Sequence, residues 1–336
     1  MRIPGLKTAR AISRWVKARI LGGALILGYH RVANPSEDNF EVCVSPEHFA
    51  EHLDVLRKHT RPIPLSQLVR NLKEGSLLPS SVAVTFDDGY IDNFHQARPL
   101  LEKYEIPATV FICSGYAGRE LWWDEADRRV MASGADLYAL RLQLGEGLFQ
   151  WDPLSLRPEA VYLDESSRRR RFSQELYRFL LDLDVLDLNK AMEIIRTWSG
   201  LPANGAMTAR VLDPDEIRQL GDSGIVELGS HTRNHLMLPR LPLQRQREEI
   251  FWGKRDLEAW LGKPVEGFAY PNGRSTEAAK QIVREAGFIY ACTSLHNVVR
   301  PGSDLHELTR FWQKDVDGDM FFRGLNSWMR MSGAHG

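Results

Sequence analysis

Short apolar runs alternating with amphipathic helical patterns fill the first and last thirds of the chain. Ala24 to Tyr29 and Ser81 to Phe86 (SVAVTF) have the length of buried strands, and Ala108 to Cys113 (ATVFIC) shares their character. Between the first two, Ser45-Pro46-Glu47 opens a helix with Phe49, Leu53 and Leu56 on one face, and Pro64-Leu65-Ser66 caps a second containing Leu68 and Leu72. Ala97 to Tyr104 reads as a third helix. The rhythm resumes at Asp213-Pro214-Asp215-Glu216, a helix start, followed by strands at Val226 to Gly229, near Gly267 to Tyr270 and at Phe288 to Thr293. A long polar helix is expected from about Pro242 to Leu261. Strands alternating with helices predict parallel pairing in an α/β sheet or barrel, here over residues 21–118 and 210–325.

Two stretches break the rhythm. Residues 119–209 carry acidic, Arg-rich and Leu-rich helical patterns, including Leu176, Phe179, Leu180 and Leu183, with no convincing buried strand, and read as a helical insertion. Residues 1–20 hold six basic side chains without an acid up to Arg19, interleaved with Ile3, Leu6, Ile12, Trp15 and Val16, the pattern of a basic amphipathic helix. The apolar run from Ile20 to Tyr29 is too short to span a bilayer but has the length of a signal-peptide core. The expectation is a cytoplasmic protein with peripheral membrane contact through that helix, with export through a signal peptide as the alternative.

Composition narrows the classes. The 336 residues are 43% hydrophobic and 26% charged, as in a soluble globular protein, which excludes a polytopic membrane fold. Lys plus Arg number 43 against 44 Asp plus Glu, so no bulk charge marks a nucleic-acid partner. Cys43, Cys113 and Cys292 show neither a disulfide framework nor a zinc-cluster spacing.

The chemistry gathers where strands end. Asp87 and Asp88 close the second apolar segment as Thr85-Phe86-Asp87-Asp88-Gly89-Tyr90, and Gly89 frees the backbone to turn both carboxylates toward one cleft. Their mutual repulsion calls for a cation or protons. Ser230-His231-Thr232-Arg233-Asn234-His235 also follows a strand, and its two histidines are four apart, so one helical turn puts both imidazoles on the same side. Two histidines and one carboxylate make a three-ligand site with open positions, the arrangement of a hydrolytic metal centre.

These segments resemble the polysaccharide deacetylase family, the NodB-like carbohydrate esterases: TFDDGY at Thr85 to Tyr90, SHTRNH at Ser230 to His235, and FAYPNG at Phe268 to Gly273. The resemblance covers residues about 24–118 and 210–312 and implies a distorted (β/α) barrel of the NodB-homology type, with the site at the carboxyl ends of the strands. It implies Asp87 as general base, and Asp88, His231 and His235 as ligands of a divalent metal ion, zinc first with cobalt, nickel or iron as alternatives. Tyr90, Tyr270, Pro271 and Asn272 fall at substrate and oxyanion positions, the Asn272 backbone amide foremost.

Two departures from the family pattern stand out. Ala269 occupies the position where many members have the arginine that orients the base, and no late motif supplies a clean general acid. Gly28-Tyr29-His30-Arg31-Val32 resembles the first-strand motif of a subgroup similar to the poly-N-acetylglucosamine deacetylases, which makes His30 the expected acid and His296 the alternative. His306, beside Asp304 and Glu307, reads as a packing residue. Trp122 and Trp123 suit either sugar stacking or the core.

The function implied is metal-dependent removal of acetyl from an N-acetylated sugar, with an N-acetylated glycan or lipid-linked sugar as partner. Hydrolysis of another C–N bond, in a cyclic amide or small N-acyl compound, is the alternative. A noncatalytic glycan-binding protein is the third reading.

Overall fold

A computed structural model of the chain describes residues 23–36, 38–145, 147–151, 164–202 and 209–331. The basic segment at residues 1–20 lies outside them. Eight strands among the described residues form one parallel sheet: β1 (Leu25–Tyr29), β2 (Arg61–Pro62), β3 (Ser81–Phe86), β4 (Ala108–Ile112), β5 (Val226–Ser230), β6 (Gly267–Ala269), β7 (Tyr290–Cys292) and β8 (Phe311–Trp312). Their order is β7-β6-β5-β4-β3-β1-β8, with β2 paired to the start of β3. The sheet curls into a half-barrel without β7 and β8 pairing as strands.

Two faces of this curl explain why the strands read as continuous apolar runs. Ile26, Ala83, Phe111, Ala269 and Cys292 form an inner cluster together with Leu65, Leu68 and Val69 of α2 (Leu65–Glu74). Leu25, Leu27, Tyr29, Val84 and Phe86 face the outer layer, where Phe49, Leu53 and Leu56 of α1 (Pro46–His59) meet them. Ser45 caps α1 by accepting the His48 N–H, with Pro46 in the first turn. The helices α3 (Arg98–Tyr104), α7 (Pro214–Gly221), α8 (Leu243–Leu261) and α9 (Glu277–Glu285) continue the outer ring.

Between β4 and β5 the chain forms α4 (Trp122–Ala132), α5 (Glu165–Leu180) and α6 (Val185–Ser199). This stretch also holds a two-stranded antiparallel hairpin, Arg141–Leu144 with Gly147–Gln150, where the sequence shows no buried strand. The hairpin alternates buried and exposed positions, so its apolar content is half that of a core strand and gives no continuous run. The closing helix α10 (Gly318–Met331) packs on α1. No helix among the described residues is long and apolar enough to cross a membrane.

Candidate active site

Four chain segments deliver polar side chains to one end of the sheet. β3 ends at Phe86, and the next two residues are Asp87 and Asp88, 3% and 4% exposed. Asp88 itself adopts a left-handed backbone (φ 73°), as does Gly89 (φ 76°), which breaks the strand's alternation and brings both carboxylates to the same cleft. β5 ends at Ser230, so His231 stands two strands away at the same rim.

His231 and His235 do come together, their ring centroids 4.9 Å apart, but not through a helical turn as their spacing predicts. Residues 231–235 form an irregular turn in which Thr232 (φ 64°) and His235 (φ 54°) are left-handed. Local partners outcompete helical bonding there: Thr232 Oγ1 accepts the His235 N–H at 3.0 Å, and Glu249 of α8 accepts both the backbone and side-chain N–H of Asn234 at 2.7 Å. Gly253 lets α8 come this close, since a Cβ there would lie 2.7 Å from the Thr232 carbonyl carbon.

Asp88, His231 and His235 each offer a ligand atom within 4.8 Å of the others, all three residues buried. Both imidazole Nε2 atoms lie 3.5 Å from Asp88 Oδ1. His231 Nδ1–H donates to the Ala269 carbonyl at 2.8 Å, which fixes the tautomer and leaves the Nε2 lone pair aimed at the cluster. Asp88 Oδ1 and His235 Nδ1 are buried without a hydrogen-bond partner. Burial pushes Asp88 well up and both imidazoles down, so the protein alone disfavours the charged carboxylate here. A buried N, N, O donor set with an orphaned carboxylate oxygen fits a divalent cation.

Asp87 has a different partner. Arg310, immediately before β8 and fully buried, grips it with Nη1 to Oδ1 at 2.6 Å and Nη2 to Oδ2 at 2.7 Å. Burial raises the Asp87 carboxyl, but the guanidinium charge, the nearby His231 and the two hydrogen bonds outweigh it and hold it near 2. Arg310 also donates Nε–H to the Thr293 carbonyl at 3.0 Å. Arg310, just before β8, thus places beside Asp87 the guanidinium that Ala269 on β6 lacks. Sequence reading missed it, although a lone arginine inside Leu308-Thr309-Arg310-Phe311-Trp312 is a signal, because a buried arginine demands a carboxylate.

His30 follows β1 and stacks on Trp312 of β8, centroids 4.5 Å apart and planes 14° apart. Burial lowers its imidazole to about 4, against the attraction of Asp87 and with repulsion from Arg310 and His231. His296 is exposed and lies flat against Phe311 at 5.8 Å. His306 packs as read, its Nε2–H donating to the Phe288 carbonyl at 3.0 Å.

The tyrosine hydroxyls are used internally. Tyr90 donates to Asp124 at 2.8 Å and accepts from Trp123 Nε1 at 3.0 Å; Tyr270 donates to the His306 carbonyl at 3.0 Å. Pro271 is buried at the start of a short turn, and Asn272 is left-handed (φ 54°) with its Nδ2 buried and unpartnered. Trp122 and Trp123 are buried, 3% and 8% exposed, and belong to the core. Trp123 backs the His235 ring at 4.5 Å, and Tyr177 of α5 reaches Asn272 Oδ1 at 3.5 Å, so the segment between β4 and β5 walls the site.

With this geometry in view, the profile of the polysaccharide deacetylase family matches residues 75–138 and 184–291, and the chain belongs to that family. It is 32% identical over 110 residues to the poly-beta-1,6-N-acetyl-D-glucosamine N-deacetylase of Staphylococcus aureus, a match spanning 29% of this chain. The chain thus covers 38% of the length of that curated relative. Among solved structures that share the fold is IcaB from Ammonifex degensii, at TM-score 0.58 and 22% identity, covering 92% of this chain and 97% of that one. Another is the Streptococcus pyogenes deacetylase PplD in complex with acetate, at TM-score 0.57 and 17% identity, covering 91% and 98%.

Proposed function

We propose that this chain is a metal-dependent hydrolase that removes the acetyl group from an N-acetylated sugar of a polysaccharide or glycan precursor. The observation that carries the proposal is the buried Asp88, His231 and His235 cluster with an ionised Asp87 beside it, pinned by Arg310. When bound, a divalent cation supplies Lewis-acid polarisation of the acetamide carbonyl and acidification of a water. Asp88 Oδ1 and the two imidazoles would hold it. Asp87, 3.7 Å from His231 Nε2 through Oδ2, accepts the proton of the attacking water, its carboxylate aimed by Arg310. The Asn272 backbone N–H donates to the oxygen that gains charge. His30, once it has taken up a proton from solvent, gives it to the departing amine nitrogen. Its imidazole is neutral at pH 7 in the free site, and negative charge growing on the substrate favours the protonated form. The products are acetate and a free amine.

Support for the sugar comes from family membership and from the named activity of the Staphylococcus aureus relative. Acetate release from N-acetylated oligosaccharides and lipid-linked sugars, by protein reloaded with zinc, cobalt, nickel or iron, tests substrate and metal together. Turnover of cyclic amides with no acetate from any sugar would favour the other C–N hydrolase reading. A cytoplasmic location with the basic residues 1–20 on an anionic membrane belongs to the same proposal. Sedimentation with anionic vesicles, lost at high salt, is the expected result.

A further inference from the structure

The strongest feature that the mechanism leaves unused is the indole of Trp312. Its ring touches the two groups on either side of the chemistry. On one contact it stacks with the His30 imidazole, centroids 4.5 Å apart and nearly parallel. On the other, the Arg310 guanidinium carbon lies 4.6 Å from the indole centroid, while that same guanidinium grips Asp87 through two hydrogen bonds. A single side chain therefore joins the proposed acid to the arginine that aims the proposed base.

The backbone is arranged to permit this. Trp312 sits opposite Gly28 in the parallel β1–β8 register, and the Gln313 N–H donates to the Gly28 carbonyl at 2.9 Å. A Cβ at position 28 would lie 2.8 Å from Trp312 Cε3, so glycine there lets the indole lie flat on β1 beneath the next same-face residue, His30. The His30 main chain is held separately, its carbonyl accepting Asn93 Nδ2–H at 2.8 Å. No hydrogen bond from a protein partner to the His30 ring is found among the described residues, so stacking is what sets its plane.

We infer that Trp312 is a positioning residue: its indole fixes the His30 ring and the Arg310–Asp87 pair relative to each other. The roles of acid and base rest on the deacetylase reading, whereas the contacts do not. Flat stacking and cation–π attraction restrict imidazole rotation and guanidinium tilt without using up the His30 nitrogens.

The test has one arm in turnover and one in spectroscopy, both on the full zinc-loaded chain. Trp312→Ala should lower kcat about 10²-fold, the scale of an ångström's misplacement, with KM little changed and metal content unchanged. Trp312→Phe, which keeps a flat ring, should restore most of the loss. A rise in KM with kcat intact would make the indole a wall of the substrate groove and overturn the inference, as would Trp312→Phe failing as badly as Trp312→Ala. In the wild-type protein, NMR should show the His30 ring protons shifted upfield by the indole and a slowly exchanging Arg310 Nε–H. Absence of the upfield shift refutes the stacking whether or not any of the variants fold. Should the wild type release no acetate from any sugar while the upfield shift is present, the deacetylase reading fails and the positioning contact stands.

Discussion

At the scale of single residues, two neighbouring aspartates separate into two roles because their surroundings differ. Asp87 is paired with a guanidinium and held near 2, whereas Asp88 is raised by burial and keeps an oxygen without a protein partner. Asp87→Asn should retain the metal and lose about 10²- to 10⁴-fold in turnover, the usual worth of a general base. His235→Ala should lose the metal instead, as read by elemental analysis. Arg310→Ala leaves a buried carboxylate unpaired, and a urea titration should show about 3–5 kcal/mol of lost stability together with lost turnover. Arg310→Lys keeps the charge but not the two-pronged grip, so it should recover stability better than kcat. Equal recovery of both would deny Arg310 its orienting role. Of these residues, the aspartates and histidines were legible as motifs because they lie in short contiguous segments. Arg310 was not, since its partner is 223 positions away and only the pairing of the two-residue β8 with β1 brings it near.

At the scale of elements, apolar runs marked the core strands to within two residues, since strands buried on both faces need continuous apolar side chains. What escaped was short or alternating. β8 has two residues and the hairpin at 141–150 has four per strand, too few for a period to show. The α7 start was legible as a helix start, and the structure makes it a capping box: Asp213 accepts the N–H of Asp215 and Glu216, and Glu216 accepts that of Asp213. Asp213→Ala should cost about 1 kcal/mol in a urea titration without altering metal content. The turn at 231–235 shows why the i,i+4 spacing misled. That spacing brings two side chains together on a helix, and the left-handed residues Thr232 and His235 reach the same end by another backbone path.

At the scale of the whole molecule, the first and last elements of the sheet meet at the site, so stability and activity share a joint. His52 of α1 sits inside it: its Nε2–H donates to the Val316 carbonyl at 2.8 Å, its Nδ1 accepts from the Tyr29 hydroxyl at 3.2 Å, and its ring stacks on Phe321 of α10 at 4.0 Å. Burial lowers its imidazole from 6.5 to about 4. The unfolded chain takes up a proton near 6.5 and the native one only near 4, so stability present above 6.5 is lost as pH falls through that window, at about 1.4 kcal/mol per pH unit. Urea midpoints at pH 7 and pH 5 should therefore converge in His52→Gln relative to the wild type; an unchanged difference would contradict a neutral buried His52. The central claim concerns chemistry, and one measurement addresses it most directly: acetate released from an N-acetylglucosamine oligosaccharide by chelator-treated protein before and after a divalent metal is restored. The account predicts no acetate from the stripped protein, one equivalent of free amine per acetate after reloading, and neither product from reloaded Asp87→Asn. Full metal occupancy at the Asp88, His231 and His235 site with no acetate released, or acetate released equally well without metal, would contradict it.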